Sequence, residues 1–164
     1  MYLVKLGTED YSLYQRCIRR LEHDVNIRGQ LDIPQAIVNE IIEFNKKSLL
    51  PKTKFIKAMQ TEDIQAYCLR NENDENLGIV YIHFQDGGVC HIVDFGIFSE
   101  YKQKGVGTEF FNMLLKEVIE PRQCREITLR CPFLGAQQFY LKNGFKFVNN
   151  KERYINPMMR KRLR

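Results

Sequence analysis

Gly105 and Gly107, with Lys102 and Lys104 just ahead of them, are the residues whose types and spacing most directly suggest chemistry. They sit where the polar exit of a strand-like run meets the start of a helical one. A helix N-terminus leaves several backbone N–H groups without intrahelical partners, and glycine lets an anion come close to them. The two lysines add positive charge beside that nest. Capture of a phosphate-bearing ligand is the implied chemistry; the same pair of glycines also serves as a plain turn. Two familiar phosphate motifs are excluded by residue. A dinucleotide fingerprint needs a glycine three positions after Gly107, where the chain has Phe110, and no G-x-x-x-x-G-K-S/T run of a P-loop occurs. Cys90, Cys124, Cys131, His83 and His91 are further reactive groups. No ligand pair among them falls two to four residues apart, so neither a metal site nor a thiol nucleophile is expected, and cysteines on strands read as buried packing.

The elements that must position the glycine turn follow from periodicity. Thr8, followed by Glu9 and Asp10, reads as the N-cap of a helix whose Leu13, Cys17, Leu21 and Val25 recur at helical spacing. Asp32 and Pro34 open a second helix, with Ile37, Val38, Ile41, Ile42 and Phe44 on one face, and Pro51 stops it. The period then changes. Residues 64–70 and 77–85 are strand-like runs joined by a polar turn, and Asp86-Gly87-Gly88 reverses the chain into 89–98, which predicts an antiparallel meander. Phe110, Phe111, Leu114, Leu115 and Val118 give a third amphipathic helix ending before Pro121. Residues 126–131 read as a buried strand, 135–143 as a short helix stopped by Gly144, and 145–148 with 154–159 as a closing hairpin. The sum is a mixed α/β sheet in one domain, residues 1–164, with no internal repeat and no linker composition.

With 164 residues, 44% of them hydrophobic and 27% charged, the chain excludes disorder and fibrous repeats. A chain of this size buries roughly 70% of its unfolded surface, so its core needs no disulfide framework. The five cysteines, an odd number without a C-x-x-C pair, fit reduced thiols and a cytoplasmic setting. The start lacks an apolar signal-peptide stretch, and the best apolar run, Leu77 to Ile82, is far below the roughly 18 residues of a spanning helix, so no membrane partner is expected. Net charge is +5, from 25 basic and 20 acidic residues, but Arg160, Lys161, Arg162 and Arg164 account for four of the basic ones. That run reads as a solvated tail, and no aromatics interleave with it, so nucleic acid is not an expected partner.

The segment Asp94-Phe95-Gly96-Ile97-Phe98-Ser99-Glu100-Tyr101-Lys102-Gln103-Lys104-Gly105-Val106-Gly107-Thr108 resembles motif A of the GNAT superfamily of N-acetyltransferases, whose hallmark is R/Q-x-x-G-x-G/A. Gly135-Ala136-Gln137-Gln138-Phe139-Tyr140-Leu141-Lys142-Asn143-Gly144-Phe145 is similar to the family's motif B, and the match spans residues 89–148. The resemblance implies a mostly antiparallel sheet of six to seven strands, with two splayed central parallel strands and about four helices. It implies acetyl-CoA as cosubstrate and no metal. The N–H groups of Gln103, Lys104, Gly105, Val106, Gly107 and Thr108 would hold its pyrophosphate, with Lys102 beside them. The backbone of Phe95, Gly96 and Ile97 would pair with its pantetheine. Two departures stand out: Lys102 occupies the arginine or glutamine position, and the asparagine often found ahead of motif B is replaced within Cys131-Pro132-Phe133-Leu134.

Acetyl transfer by direct attack needs a neutral amine, donors for the developing oxyanion and an acid for the leaving thiolate. Tyr140 matches the family's general acid, and its alternative reading is aromatic packing on a short helix. A backbone N–H near Ile97 is the expected oxyanion donor. Asp94 and His91 are the candidate bases on the cleft strand; being three positions apart, they are placed by strand alternation on opposite faces. Glu22, His23, Asp24, Arg28, Glu40 and Glu43 form a mixed-charge surface that reads as solvated. The expected function is transfer of acetyl from acetyl-CoA to a primary amine, a small molecule first, with a protein or peptide amine as the alternative. A CoA-binding regulatory module without turnover is the alternative from another class, and a homodimer is compatible with each.

Overall fold

The computed structural model describes residues 1–29, 49–131, 134–149 and 157–163. β1 (Tyr2–Lys5) is followed by a 3-10 turn at Thr8–Asp10, helix α1 (Tyr11–Gly29) and helix α2 (Lys52–Met59). The meander comes next: β2 (Ile64–Arg70), β3 (Asn76–Gln85) and β4 (Val89–Ile97). Helix α3 (Val106–Leu114) runs on into a π turn at Leu115–Ile119, and β5 (Glu126–Arg130), α4 (Leu134–Lys142), β6 (Lys146–Phe147) and β7 (Met158–Arg162) close the chain. The strands make one seven-stranded sheet in the order β1-β2-β3-β4-β5-β7-β6, in which only the β4–β5 pair is parallel. This is the sheet the resemblance implied. The second expected helix, with Ile37, Val38, Ile41, Ile42 and Phe44 on its face, and the Tyr154 end of the hairpin lie outside the described residues.

Each face of the sheet carries its own apolar core, because β3 is buried along nearly its whole length. On one side Phe110, Phe111 and Leu114 of α3 and Tyr140 of α4 pack on Val80, Ile82, Cys90, Ile92, Ile127 and Leu129. On the other, Tyr14, Cys17 and Ile18 of α1 and Phe55 of α2 pack on Ala66, Cys68, Ile79 and Tyr81. All five cysteines are free and buried, and Cys17 and Cys68 bring their sulfurs to 3.9 Å.

Two expectations are corrected and one element is added. Thr8 is not the cap of α1: it begins the 3-10 turn, and the Gly7 N–H donates to Asp10 Oδ2 at 2.8 Å. Pro51 is the N-cap of a helix that the periodicity did not suggest, α2, its carbonyl accepting from the Phe55 N–H at 2.9 Å. The basic run is not a solvated tail. Arg160, Lys161 and Arg162 are strand residues of β7, paired with Thr128, Ile127 and Glu126 of β5, and Lys161 Nζ donates to the Asn143 carbonyl at 2.8 Å. Long basic side chains fit there because their alkyl stems cover apolar surface while the charges reach polar groups.

Candidate active site

β4 and β5 pair in parallel from Val89↔Glu126 to Ile92↔Leu129, and there the ladder stops. Beyond that point β4 continues to Ile97, bonded to β3 only, while Cys131 N–H turns away to the Pro157 carbonyl at 3.1 Å. The edge of β4 over residues 93–97 is therefore open toward the gap between the two strands, with no strand partner there among the described residues. An extended ligand with amide groups can pair with such an edge as a further strand would. Phe95 anchors this stretch: its ring stacks on Phe110 at 4.9 Å and on Phe139 at 5.8 Å, which fixes the backbone edge beside the gap.

The glycine turn lies at the end of the same strand. After the 3-10 turn Ser99–Tyr101, Gln103 has φ 63° and Gly105 φ 78°, both in the left-handed region, and α3 starts at Val106. The first helical bond runs from the Glu109 N–H to the Gly105 carbonyl at 3.1 Å. Among the described residues, the N–H groups of 103–108 ahead of it donate to no backbone carbonyl. Gly105 is glycine for its conformation: a Cβ there would meet nothing within 4 Å, so the surface above it is clear. Gly107 packs instead; its Cβ position is 3.5 Å from Phe139 and 3.6 Å from Ile97. Arg20 of α1 straps the loop down, ion-paired with Glu100 and with its guanidinium 4.3 Å from the centre of the Phe98 ring. An open groove of about 620 Å³ runs from Gly105 and Thr108 along the outer face of α3 to Lys116 and Glu117, away from Asp94 and Tyr140.

A bulge decides where Asp94 points. Tyr81 of β3 stands opposite Asp94, but the next β3 residue, Ile82, stands opposite Ile92, so Val93 is an extra residue in β4. Cys90, Ile92 and Phe95 face α3, whereas Val93 packs with the α1 core and Asp94 shares the face of its partner Tyr81. His91, opposite His83, lies between Cys90 and Ile92 and therefore also looks toward the α1 side. The expectation that His91 and Asp94 occupy opposite faces fails because the bulge adds one residue to the alternation between them. His91 is tied down by a 2.9 Å contact between Nδ1 and Thr128 Oγ1, and burial, then His83 and Arg130, lower its pKa, all of which fits a structural role.

Asp94 Oδ2 is sealed from solvent and has no hydrogen-bond partner among the described residues. Burial, and after it the neighbouring Glu22, push its pKa up from 3.8 to about 6. Tyr140 is buried on the opposite side of the gap, its ring 6.4 Å from Phe95, 5.2 Å from Phe139 and 5.3 Å from Phe145. Burial, then Cys131 and Asp94, raise its pKa, so the phenol keeps its proton. The carboxylate and the phenol feel each other's charge from opposite faces of the sheet. Glu22, read from the sequence as part of a solvated surface, has one carboxylate oxygen closed off from solvent. A signal was present: Tyr14, Ile18 and Glu22 follow one another at intervals of four, and the first two are fully buried, so an acid stands where the stripe calls for an apolar side chain. Among the described residues no three His, Cys, Asp or Glu side chains are grouped to hold a metal ion, and no helix is long and apolar enough to cross a membrane.

Residues 35–145 match the model of the acetyltransferase (GNAT) family. The chain belongs to that family. No curated protein matches its sequence. Solved structures share its fold at low identity. The PaiA N-acetyltransferase of Thermoplasma acidophilum, solved in complex with coenzyme A, is 16% identical with a TM-score of 0.71, the match covering 99% of this chain and 98% of that one. A GNAT-family acetyltransferase of Staphylococcus aureus Mu50 is 13% identical with a TM-score of 0.69 and 99% coverage of both chains. An aminoglycoside 6'-acetyltransferase type Ii is 18% identical with a TM-score of 0.62, covering 99% of this chain and 97% of its own.

Proposed function

We propose that this protein transfers the acetyl group of acetyl-CoA to a primary amine by direct attack within a ternary complex. The observation that carries the reading is the open edge of β4, which has a nest of N–H groups at its end and a carboxylate and a phenol flanking the gap. In this reading the N–H groups of Gln103 to Thr108, with Lys102 and Lys104, hold the pyrophosphate, and Phe95, Gly96 and Ile97 pair with the pantetheine. The adenosine end then falls toward the groove along α3.

Asp94 takes a proton from the amine, directly or through one water, and a carboxyl titrating at about 6 is ionised and still basic enough for that task at neutral pH. The amine nitrogen forms a bond to the thioester carbon, the carbon–sulfur bond breaks, and Tyr140 gives its proton to the departing thiolate. Two protons leave the nitrogen on the way from ammonium to amide: Asp94 passes the one it took before attack to solvent, and the second, shed by the nitrogen as the tetrahedral intermediate collapses, replaces through solvent the proton Tyr140 gave away, so the sum releases the amide, CoA thiol and one proton. A backbone N–H near Ile97 serves the developing oxyanion. A small amine is the first choice of acceptor and a protein or peptide amine the second.

Calorimetry with acetyl-CoA tests the binding half, and release of free thiol on addition of a panel of primary amines tests the transfer half. Absence of heat removes the reading. Heat without thiol release under any amine leaves a CoA-binding module in its place.

A further inference from the structure

The turn that joins β4 to the N–H nest has few backbone bonds of its own. The Phe98 N–H donates to the Leu77 carbonyl at 2.9 Å, Tyr101 to Phe98 at 3.0 Å and Lys102 to Ser99 at 3.2 Å; among the described residues the next backbone bond is that from Glu109 to Gly105. Between them Gln103 sits at φ 63°, a left-handed conformation that a side chain other than glycine adopts at a cost. Contacts from outside must therefore hold the stretch. The Tyr101 ring packs against both cores, and at the far end Gly107 rests on Phe139 and Ile97. At the near end the contact is α1. Arg20 ion-pairs with Glu100, within the turn, and its guanidinium lies 4.3 Å from the centre of the buried Phe98 ring. The next residue along the helix, Leu21, fits over Gly96, where a Cβ would lie 2.5 Å from Leu21 Cδ1. Helix α1 is thus seated against β4 just where Arg20 reaches the turn.

We propose that Arg20 is a positioning residue for coenzyme binding: it acts through Glu100 and Phe98, not on the phosphates, and keeps the turn in the form that presents the N–H groups of 103–108 to the pyrophosphate. The inference rests on the acetyl-CoA reading and adds to it a residue from the opposite side of the sheet to α3. An exposed ion pair alone contributes little, but here the same guanidinium also covers a ring, so two contacts share one ordering cost. Without the clamp, only a fraction of the molecules hold the binding form, and the apparent affinity falls by that fraction. A fraction of about one fifth weakens binding about fivefold, or by about 1 kcal/mol. The rival reading makes Arg20 a cation drawn to the phosphates and Glu100 an anion that repels them. It predicts the opposite sign for Glu100→Gln, which would free the arginine, remove an acid and tighten binding.

The test compares the parent with Arg20→Met, Arg20→Lys, Glu100→Gln and the double variant Arg20→Met/Glu100→Gln. Amide hydrogen exchange in the free protein reads the turn directly. At Tyr101 and Lys102 it should rise about fivefold or more in Arg20→Met and about twofold or more in Glu100→Gln, which leaves the ring contact, while the amides of α4 and β5 keep parent rates. Calorimetry with acetyl-CoA should show the dissociation constant rising about fivefold and about twofold in the same two variants. The double variant should be no worse than Arg20→Met, because both changes cut one clamp, and Arg20→Lys should recover at least half of the loss. Parent-like exchange at Tyr101 and Lys102 in Arg20→Met, tighter binding by Glu100→Gln, or losses that add in the double variant overturns the proposal. Should Arg20→Met fail to fold, Glu100→Gln, a change at a half-exposed side chain, decides by the same two measurements. A parent that gives no heat with acetyl-CoA removes the acetyl-transfer reading and this proposal with it, whereas a parent that binds, with variants that behave like it, removes the proposal alone.

Discussion

Asp94→Asn should make the protein more stable and less active at once. Moving a carboxyl from its ordinary 3.8 to about 6 means that the folded protein resists ionising it. Two pKa units at about 1.36 kcal/mol each come to about 3 kcal/mol. Below pH 3.8 the side chain is protonated in both folded and unfolded chains, and the carboxyl costs nothing. Between that pH and about 6 the unfolded chain ionises first, and above about 6 the folded chain must ionise too, so the full penalty stands at pH 8. Asparagine never ionises. The variant should therefore exceed the parent at pH 8 by up to about 3 kcal/mol, or about 6–12 °C in melting temperature for a chain of this size, less whatever its unpaired amide costs. Urea or thermal unfolding of both proteins at pH 8, 6 and 4 measures the gap, which should shrink through pH 6 and reach its minimum at pH 4. Thiol release should fall at least a hundredfold, the scale of a lost general base. A variant less stable than the parent at pH 8, or a gap of the same size at all three pH values, refutes the reasoning.

Other outcomes can be checked on the same protein. Tyr140→Phe keeps the ring among Phe95, Phe139 and Phe145 but removes the proton donor, so kcat should drop about a hundredfold while the acetyl-CoA affinity from calorimetry stays within twofold. Gly105→Val forces a β-branched residue to φ 78° and should cost about 1–2 kcal/mol in denaturant unfolding, with a clear loss of acetyl-CoA affinity, although its side chain would meet no protein atom within 4 Å. Acetyl-CoA at a hundred times its dissociation constant should raise the stability of the parent by about 2.7 kcal/mol in the same unfolding assay. Deleting residues 160–164 removes the β7 partners of Thr128, Ile127 and Glu126, and circular dichroism on heating should then show a lost or broad transition rather than a soluble, fully active enzyme.

Much of this architecture could be read from the chain because local signals agreed with the fold. The meander was legible from the run Ile64 to Arg70, from Asp86-Gly87-Gly88 and from the alternation around them, since hairpin chemistry is local. The nest was legible because Gly105 and Gly107 stand between a strand and an amphipathic helix. β1 and α2 escaped notice. Tyr2 to Lys5 is only four residues long and owes its strand geometry to β2, while Lys52–Met59 hides behind a proline that reads more readily as an ending. The orientation of Asp94 was beyond reach for a different reason. Residue identities fix a period of two, and only the pairing of Tyr81 and Ile82 across the ladder shows that β4 holds one residue more than that period allows. The fate of the basic run was equally nonlocal: Arg160 and Lys161 look like surface, and the neighbours that bring them into the sheet are more than a dozen residues away.

The extra residue at Val93 puts two chain neighbours on one side of the sheet, Val93 in the α1 core and Asp94 beside Tyr81. Excising it would restore plain alternation, and Asp94, then directly after Ile92, would stay on the Tyr81 side. What the insertion changes is the course of the strand: a bulge bends its strand and tightens the local twist, and this one falls just where the ladder to β5 ends. A single added residue thus helps keep two parallel strands from zipping together along their whole length, which no inventory of side chains would register.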